Sequence, residues 1–316
     1  MNRAIHKASF LFLAAGLVLG GCKTPSIQPT APQAVFRPAK LEAIDAAIER
    51  AIAAGKAPGA VVRIENSGAV YQKSYGAKAV EPVSLPMSDD TIFDGASLTK
   101  VIATTPAIML LVERGKLRLD DKVSRWIPGF EAHGKGAVTV RHLLTHTSGL
   151  RPGISAKPAW SGVAKAIDLA KAERLTAQPD TKFRYSDINF ILLGAIVEKL
   201  TGEPIDTYVQ QNVFTPLGMR DTHYLPATKA CGPYRIRGTA LAYDPSSRPD
   251  DDCAAGTWST DLLARIAPTA IDEDTPGLNP DYGHQLRGTV HDPTARRMGG
   301  VTGSAGVFST VHDIGL

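Results

Sequence analysis

Cysteine is scarce in this chain: only Cys22, Cys231 and Cys253 occur in 316 residues. Aromatic residues make up only 6%, and no dense Lys/Arg tract stands anywhere. With a net charge of +4, the stacking platforms and basic surfaces that a nucleic-acid partner requires are not indicated. His142 and His146 stand four apart, but Leu143 occupies the place where a metalloprotease motif carries glutamate. No third ligand is evident, so the metal reading is set aside and no metal site is assigned. There is no internal repeat. What remains is the composition of a soluble globular protein, 43% hydrophobic and 21% charged, long enough for one large domain or two smaller ones.

The first 22 residues read as an export signal. Arg3 and Lys7 precede an apolar stretch, Phe10 to Leu19, that is too short for a stable membrane anchor. The ending Leu19-Gly20-Gly21-Cys22 resembles a bacterial lipobox, which makes Cys22 the expected lipidation site. The alternative is an ordinary secretory signal with an accidental cysteine; either way the chain leaves the cytoplasm. Residues 23–39 carry Pro25, Pro29, Pro32 and Pro38 and read as an extended tether between membrane and domain. In an oxidising compartment Cys231 and Cys253 form an even pair that a disulfide can join. Two free thiols are the other reading.

Residues 40–316 form the domain. Leu41, Ile44, Ile48, Ala51 and Ile52 recur at helical spacing and Gly55 ends the run. Ala60 to Ile64 and Ala69 to Tyr75 alternate as two strands joined by Glu65-Asn66-Ser67-Gly68, an antiparallel hairpin. A lone hairpin needs further strands for stability, and no later segment announces itself as one. An apolar helix runs from near Ser97 to Gly115, with Pro106 inside it expected to kink it or remove one hydrogen bond. Val138 to Leu150 reads as a short helix closed by Gly149, and Ile188 to Leu200 as a buried helix capped by Gly202. From Cys231 to about Met298 the sequence reads as long loops shaping a cleft.

Chemistry concentrates at Ser97-Leu98-Thr99-Lys100. A serine and a lysine three apart share a helix face, which places an ammonium beside a hydroxyl. The first helical turn adds unpaired N–H groups and a positive dipole end, suited to negative charge developing on an attacked carbonyl. Taken alone, the tetrad reads as a capped helix with a solvated lysine. A third group stands at Phe183-Arg184-Tyr185-Ser186-Asp187, where a tyrosine beside a lysine can relay a proton.

Together with Leu111 to Leu117, His142 to Leu150, Leu193 to Glu198, Pro216 to Met219 and Gly306 to Thr310, these segments resemble the serine β-lactamase and penicillin-binding-protein superfamily, in its class C-like branch. The resemblance implies an α+β fold of the β-lactamase/transpeptidase type: an antiparallel sheet with flanking helices plus a helical lobe. It implies Ser97 as acylated nucleophile, Lys100 and Tyr185 as the groups that activate it, and Asp187 as a substrate-binding residue where the class C pattern has asparagine. No metal or organic cofactor is implied. The family's third motif, Lys-Thr-Gly or His-x-Gly, has no counterpart before Leu316, so C-terminal strands of the sheet are expected to be missing. The expected function is that of an exported serine hydrolase of the bacterial cell envelope, lipid-anchored to the membrane. It would transfer acyl groups from amide, lactam or ester substrates, as a cell-wall D,D-peptidase or a carboxylesterase. Two alternatives stay open: a true class C-like β-lactamase, and a non-catalytic remnant that binds peptidoglycan or a partner.

Overall fold

The computed structural model describes residues 35–232, 234–237, 240–243, 254, 256–274 and 282–316. Cys22 and Cys253 lie outside them. Cys231 is disulfide-bonded.

Helix α1 (Pro38–Ala53) opens the domain with proline in its first turn, a position where the missing N–H is not needed. It rests on the antiparallel hairpin of β1 (Gly59–Asn66) and β2 (Ala69–Ala79). The hairpin turn is tighter than the four residues expected. Asn66 pairs with Ala69, leaving Ser67 and Gly68 in the loop with φ of 49° and 78°, the two positive values that match strand twist. Asp45 fastens helix to hairpin, accepting from the hydroxyls of Tyr71 and Tyr75 and pairing with Lys73 at 2.6 Å.

Four further short strands were not announced by the sequence. β3 (Leu85–Pro86) joins β2 on its other edge. β4 (Phe93–Asp94) enters a separate three-stranded sheet, in which the late strand β6 (Val307–Ser309) lies between β4 and β5 (His223–Tyr224). Each is two or three residues long, below the length at which alternation is readable.

The apolar run after Asp94 is helical from Ala96 to Glu113, but in three winds. Ala96–Leu98 is a 3₁₀ turn, Lys100–Thr104 a π turn, and α2 (Thr105–Glu113) regular. Pro106 therefore does not interrupt a long α-helix. It sits in the first turn of α2, and the π turn before it absorbs the bond proline cannot donate. Beyond come α3 (Val140–Leu144), α4 (Val163–Ala172) and α5 (Asp187–Thr201), the last closed by Gly202 at φ 76°.

Most apolar side chains meet in one core around α5. Ile188, Leu192, Leu193 and Ile196 pack with Ile108 and Leu111 of α2, Leu143 of α3 and Phe214. Each such buried side chain contributes roughly 1.5–3 kcal/mol. A smaller core of Ile92, Trp258, Ile266 and Phe308 backs β4 and β6. The segment read as long loops supplies Trp258 and is partly paired: Ala230–Cys231 runs beside Trp258–Ser259, and Ala270–Ile271 beside Gln285–Leu286.

Candidate active site

Ser97 lies on the 3₁₀ turn, exposed to solvent, and not in the first turn of an α-helix as its sequence context suggests. Ala96 before it is held at φ 43°, a region that residues with a Cβ seldom occupy. Two anchors hold that turn. Asp94 Oδ1 accepts from Ala96 N at 2.8 Å while its Oδ2 accepts from His291 N at 2.7 Å. From β6, Val307 O accepts from Gly95 N and Val307 N donates to Thr99 Oγ1.

Lys100 is buried below Ser97. Its Nζ donates to Ser97 Oγ at 3.1 Å and Ser304 O at 2.8 Å, and stands 2.7 Å from Asp187 Oδ1. An ammonium carries three protons, and three oxygens surround this one. Ser304 presents its carbonyl because Thr302 Oγ1 accepts from both Ser304 N and Ala305 N. Thr104 Oγ1 donates to Gly303 O one position earlier, tying the same loop to the π turn.

Tyr185 and Asp187 arrive on the segment that enters α5. Asp187 is the first residue of that helix, where a carboxylate is favoured by the positive dipole end. The Tyr185 ring lies over Lys100 Nζ, 4.9 Å from its centroid, with the Phe190 ring at 5.8 Å. The structure thus brings Ser97, Lys100, Tyr185 and Asp187 into one group, Tyr185 joining through its ring face. The negative charge of Asp187 is largely offset, because Lys100 matches it.

Three further residues belong to this surround, and the sequence did not assign them to it. Asp94 and Asp292 are carboxyls that burial holds above the usual range. Opposing that burial, Asp94 accepts from its two backbone N–H groups and Asp292 from Ala295 N, while Asp187 adds to the upward push on Asp292. His146 lies against Tyr185 with ring centroids 4.5 Å apart. It does not share a face with His142, because α3 ends at Leu144 and His146 follows at φ 57°. His142 completes a capping box at the start of α3 instead, its Nδ1 accepting from Thr139 N.

A serine hydroxyl at a turn, a buried lysine beneath it and a tyrosine at a helix entrance define the serine hydrolases that work through Ser-x-x-Lys. Residues 44–315 match the family model described as Beta-lactamase, and the chain belongs to that family. It is 33% identical over 307 residues to the N-acetylmuramyl-L-alanine amidase of Bacillus subtilis (strain 168), covering 90% of this chain and 64% of that protein. It is 30% identical over 329 residues to a putative D-alanyl-D-alanine carboxypeptidase of Escherichia coli (strain K12), covering 96% and 69%. The fold superposes on a class C β-lactamase from Rhodobacter sphaeroides with a TM-score of 0.60 at 23% identity, over 86% of this chain and 63% of that one. The chain thus spans about two thirds of the length of the proteins it matches. The α+β β-lactamase/transpeptidase fold expected from the motifs is the fold observed.

Proposed function

We propose that this chain carries the acyl-transfer centre of an exported, lipid-anchored serine hydrolase of the cell envelope, with Ser97 as nucleophile. The observation that carries the reading is the contact of Lys100 Nζ with Ser97 Oγ at 3.1 Å, made while Ser304 O and Asp187 occupy its other two protons. A lysine so engaged acts as an ammonium that stabilises negative charge on Oγ. The serine proton then passes to the oxygen of Tyr185, which takes it up as a phenolate. Oγ attacks the carbonyl carbon of an amide, lactam or ester, and the collapsing intermediate expels the amine or alcohol, which takes the proton from Tyr185. Water then cleaves the serine ester, releasing the acid and restoring Ser97.

The amidase and carboxypeptidase names of the relatives favour a peptidoglycan-derived amide as acyl donor, hence a D,D-peptidase-like activity, with carboxylester hydrolysis as the simpler chemistry of the same centre. Labelling with a fluorophosphonate or a fluorescent penicillin, followed by peptide mass mapping, tests the assignment. Label on the peptide containing Ser97, absent in Ser97→Ala, is expected. Folded protein that takes label elsewhere, or none, would sink it.

A further inference from the structure

His146 has no part in that reaction scheme, yet it is built into the site more firmly than the tyrosine it touches. The imidazole is 8% exposed, against 44% for Tyr185. Its Nδ1 receives two donors, the backbone N–H of Ser186 at 3.1 Å and Asn189 Nδ2 at 3.2 Å. A backbone N–H can only donate, so Nδ1 is unprotonated and the neutral ring carries its proton on Nε2. Asn189 is oriented in turn by Ser148, whose hydroxyl accepts from Leu150 N and donates to Asn189 Oδ1 at 2.6 Å. Ser148, Asn189 and Ser186 are all buried. This chain of bonds fixes the plane of the imidazole, and the imidazole forms one wall for Tyr185, while Phe190 lies 5.2 Å and Phe183 5.9 Å from it.

Resting on the reading of Tyr185 as proton carrier, we propose that His146 is a positioning residue, which in its neutral form sets the Tyr185 ring over Lys100 and on gaining a proton releases it. The second half follows from the same geometry. A proton on Nδ1 would point at the Ser186 N–H and the Asn189 amide, so charging the ring expels Ser186 from its bond, and Ser186 is the residue after Tyr185. The titratable groups facing the imidazole are Tyr185 and Asp187 from the segment entering α5 and Lys100 from the π turn. Arg184, in that segment, meets His146 through its backbone N–H, which donates to His146 O. Burial, and then the charge of Lys100, hold the imidazole below its ordinary range, against a smaller upward pull from Asp187. The site therefore stays assembled through neutral pH and comes apart in acid.

The test uses the full chain. Nitrogen-15 chemical shifts of the His146 ring should show Nδ1 unprotonated and Nε2 protonated at neutral pH. The rate of fluorophosphonate labelling at Ser97 should fall in acid with the same midpoint as that ring titration. His146→Phe keeps an aromatic wall but offers no acceptor; labelling slows about tenfold or more, as for a catalytic group displaced by a fraction of an ångström, and the acid limb disappears. His146→Asn puts an acceptor oxygen near the Nδ1 position, so the neutral-pH rate recovers to within about threefold while the acid limb stays absent. Circular dichroism of each variant confirms folding. Labelling in His146→Phe at the wild-type rate with the wild-type acid limb, or a proton found on Nδ1 at neutral pH, overturns the inference and leaves the Ser97 assignment standing. Equal labelling of wild type and Ser97→Ala would overturn both.

Discussion

Gly194 and Gly303 meet backbone to backbone. A Cβ on Gly303 would fall 2.1 Å from Phe190 O and 3.0 Å from Gly194 N, and one on Gly194 would fall 3.0 Å from Gly303 N. Helix α5 and the loop that presents Ser304 to Lys100 thus pack too closely to leave room for a Cβ at Gly303. Neither backbone can yield without moving the carbonyl that holds the lysine.

Gly303→Ala should therefore cost about 3 kcal/mol, at the upper end of overpacking penalties, and slow acylation of Ser97 by tenfold or more. Urea unfolding and labelling rates measure the two effects. Gly153, whose Cβ would meet nothing within 4 Å, supplies the control, and Gly153→Ala should leave both unchanged.

Removing the carboxylate of Asp187 leaves the ammonium of Lys100 without its counter-charge at 2.7 Å. In Asp187→Asn the cleft gains one net positive charge. Anionic acyl donors should gain relative to neutral ones of the same size, by roughly fivefold to tenfold for about 1 kcal/mol of partly screened attraction. Competition between paired substrates in kcat/KM reads this directly, and an unchanged ratio would show that Asp187 does not set the field at the serine.

In α6 (Pro293–Arg297), Arg296 pairs with Asp272 at 2.9 Å, with both side chains 3% exposed. Arg296 Nη1 has no hydrogen-bond partner among the described residues. Asp272→Ala strands a buried cation and should cost about 3–5 kcal/mol. The double change Asp272→Leu with Arg296→Met should recover most of that loss, measured as unfolding free energies.

Acid sensitivity carries a definite sign at His146. Its folded-state value lies below the ordinary 6.5, so between that value and the folded one the unfolded chain binds the extra proton, and stability falls as pH falls. Asp94 and Asp292 act in the opposite direction at lower pH, because burial lets the folded state take up their protons first. Comparing the pH dependence of unfolding in wild type and His146→Asn isolates the histidine, and the wild type should show the steeper decline just below pH 6.5.

The helices could be read from the sequence because their apolar faces are long. Ile188 to Leu200 announces α5 nearly to its caps, and Gly202 marks its end. That Ser97, Lys100 and Tyr185 lie together could be read because motif order survives where geometry cannot be seen. β4 and β6 could not, since two or three residues carry no period and their pairing joins positions more than two hundred apart in sequence. The three winds of Ala96 to Glu113 were hidden as well, because propensity does not separate a π turn from an α turn. The places of Asp94 and His146 in this group were not legible, since they depend on backbone N–H groups of distant segments, His291 and Ser186.

The pairing of Phe308 with Asp94 also dictates an order of events during synthesis. The turn bearing Ser97 is held by Val307 and the lysine beneath it by Ser304, both made some two hundred residues after the serine itself. Contacts so distant in sequence form late and raise the entropic barrier to folding. The nascent chain can thus build its helical core around α5 while Ser97 is still unorganised, and the turn that bears it takes shape only as residues 302–309 arrive.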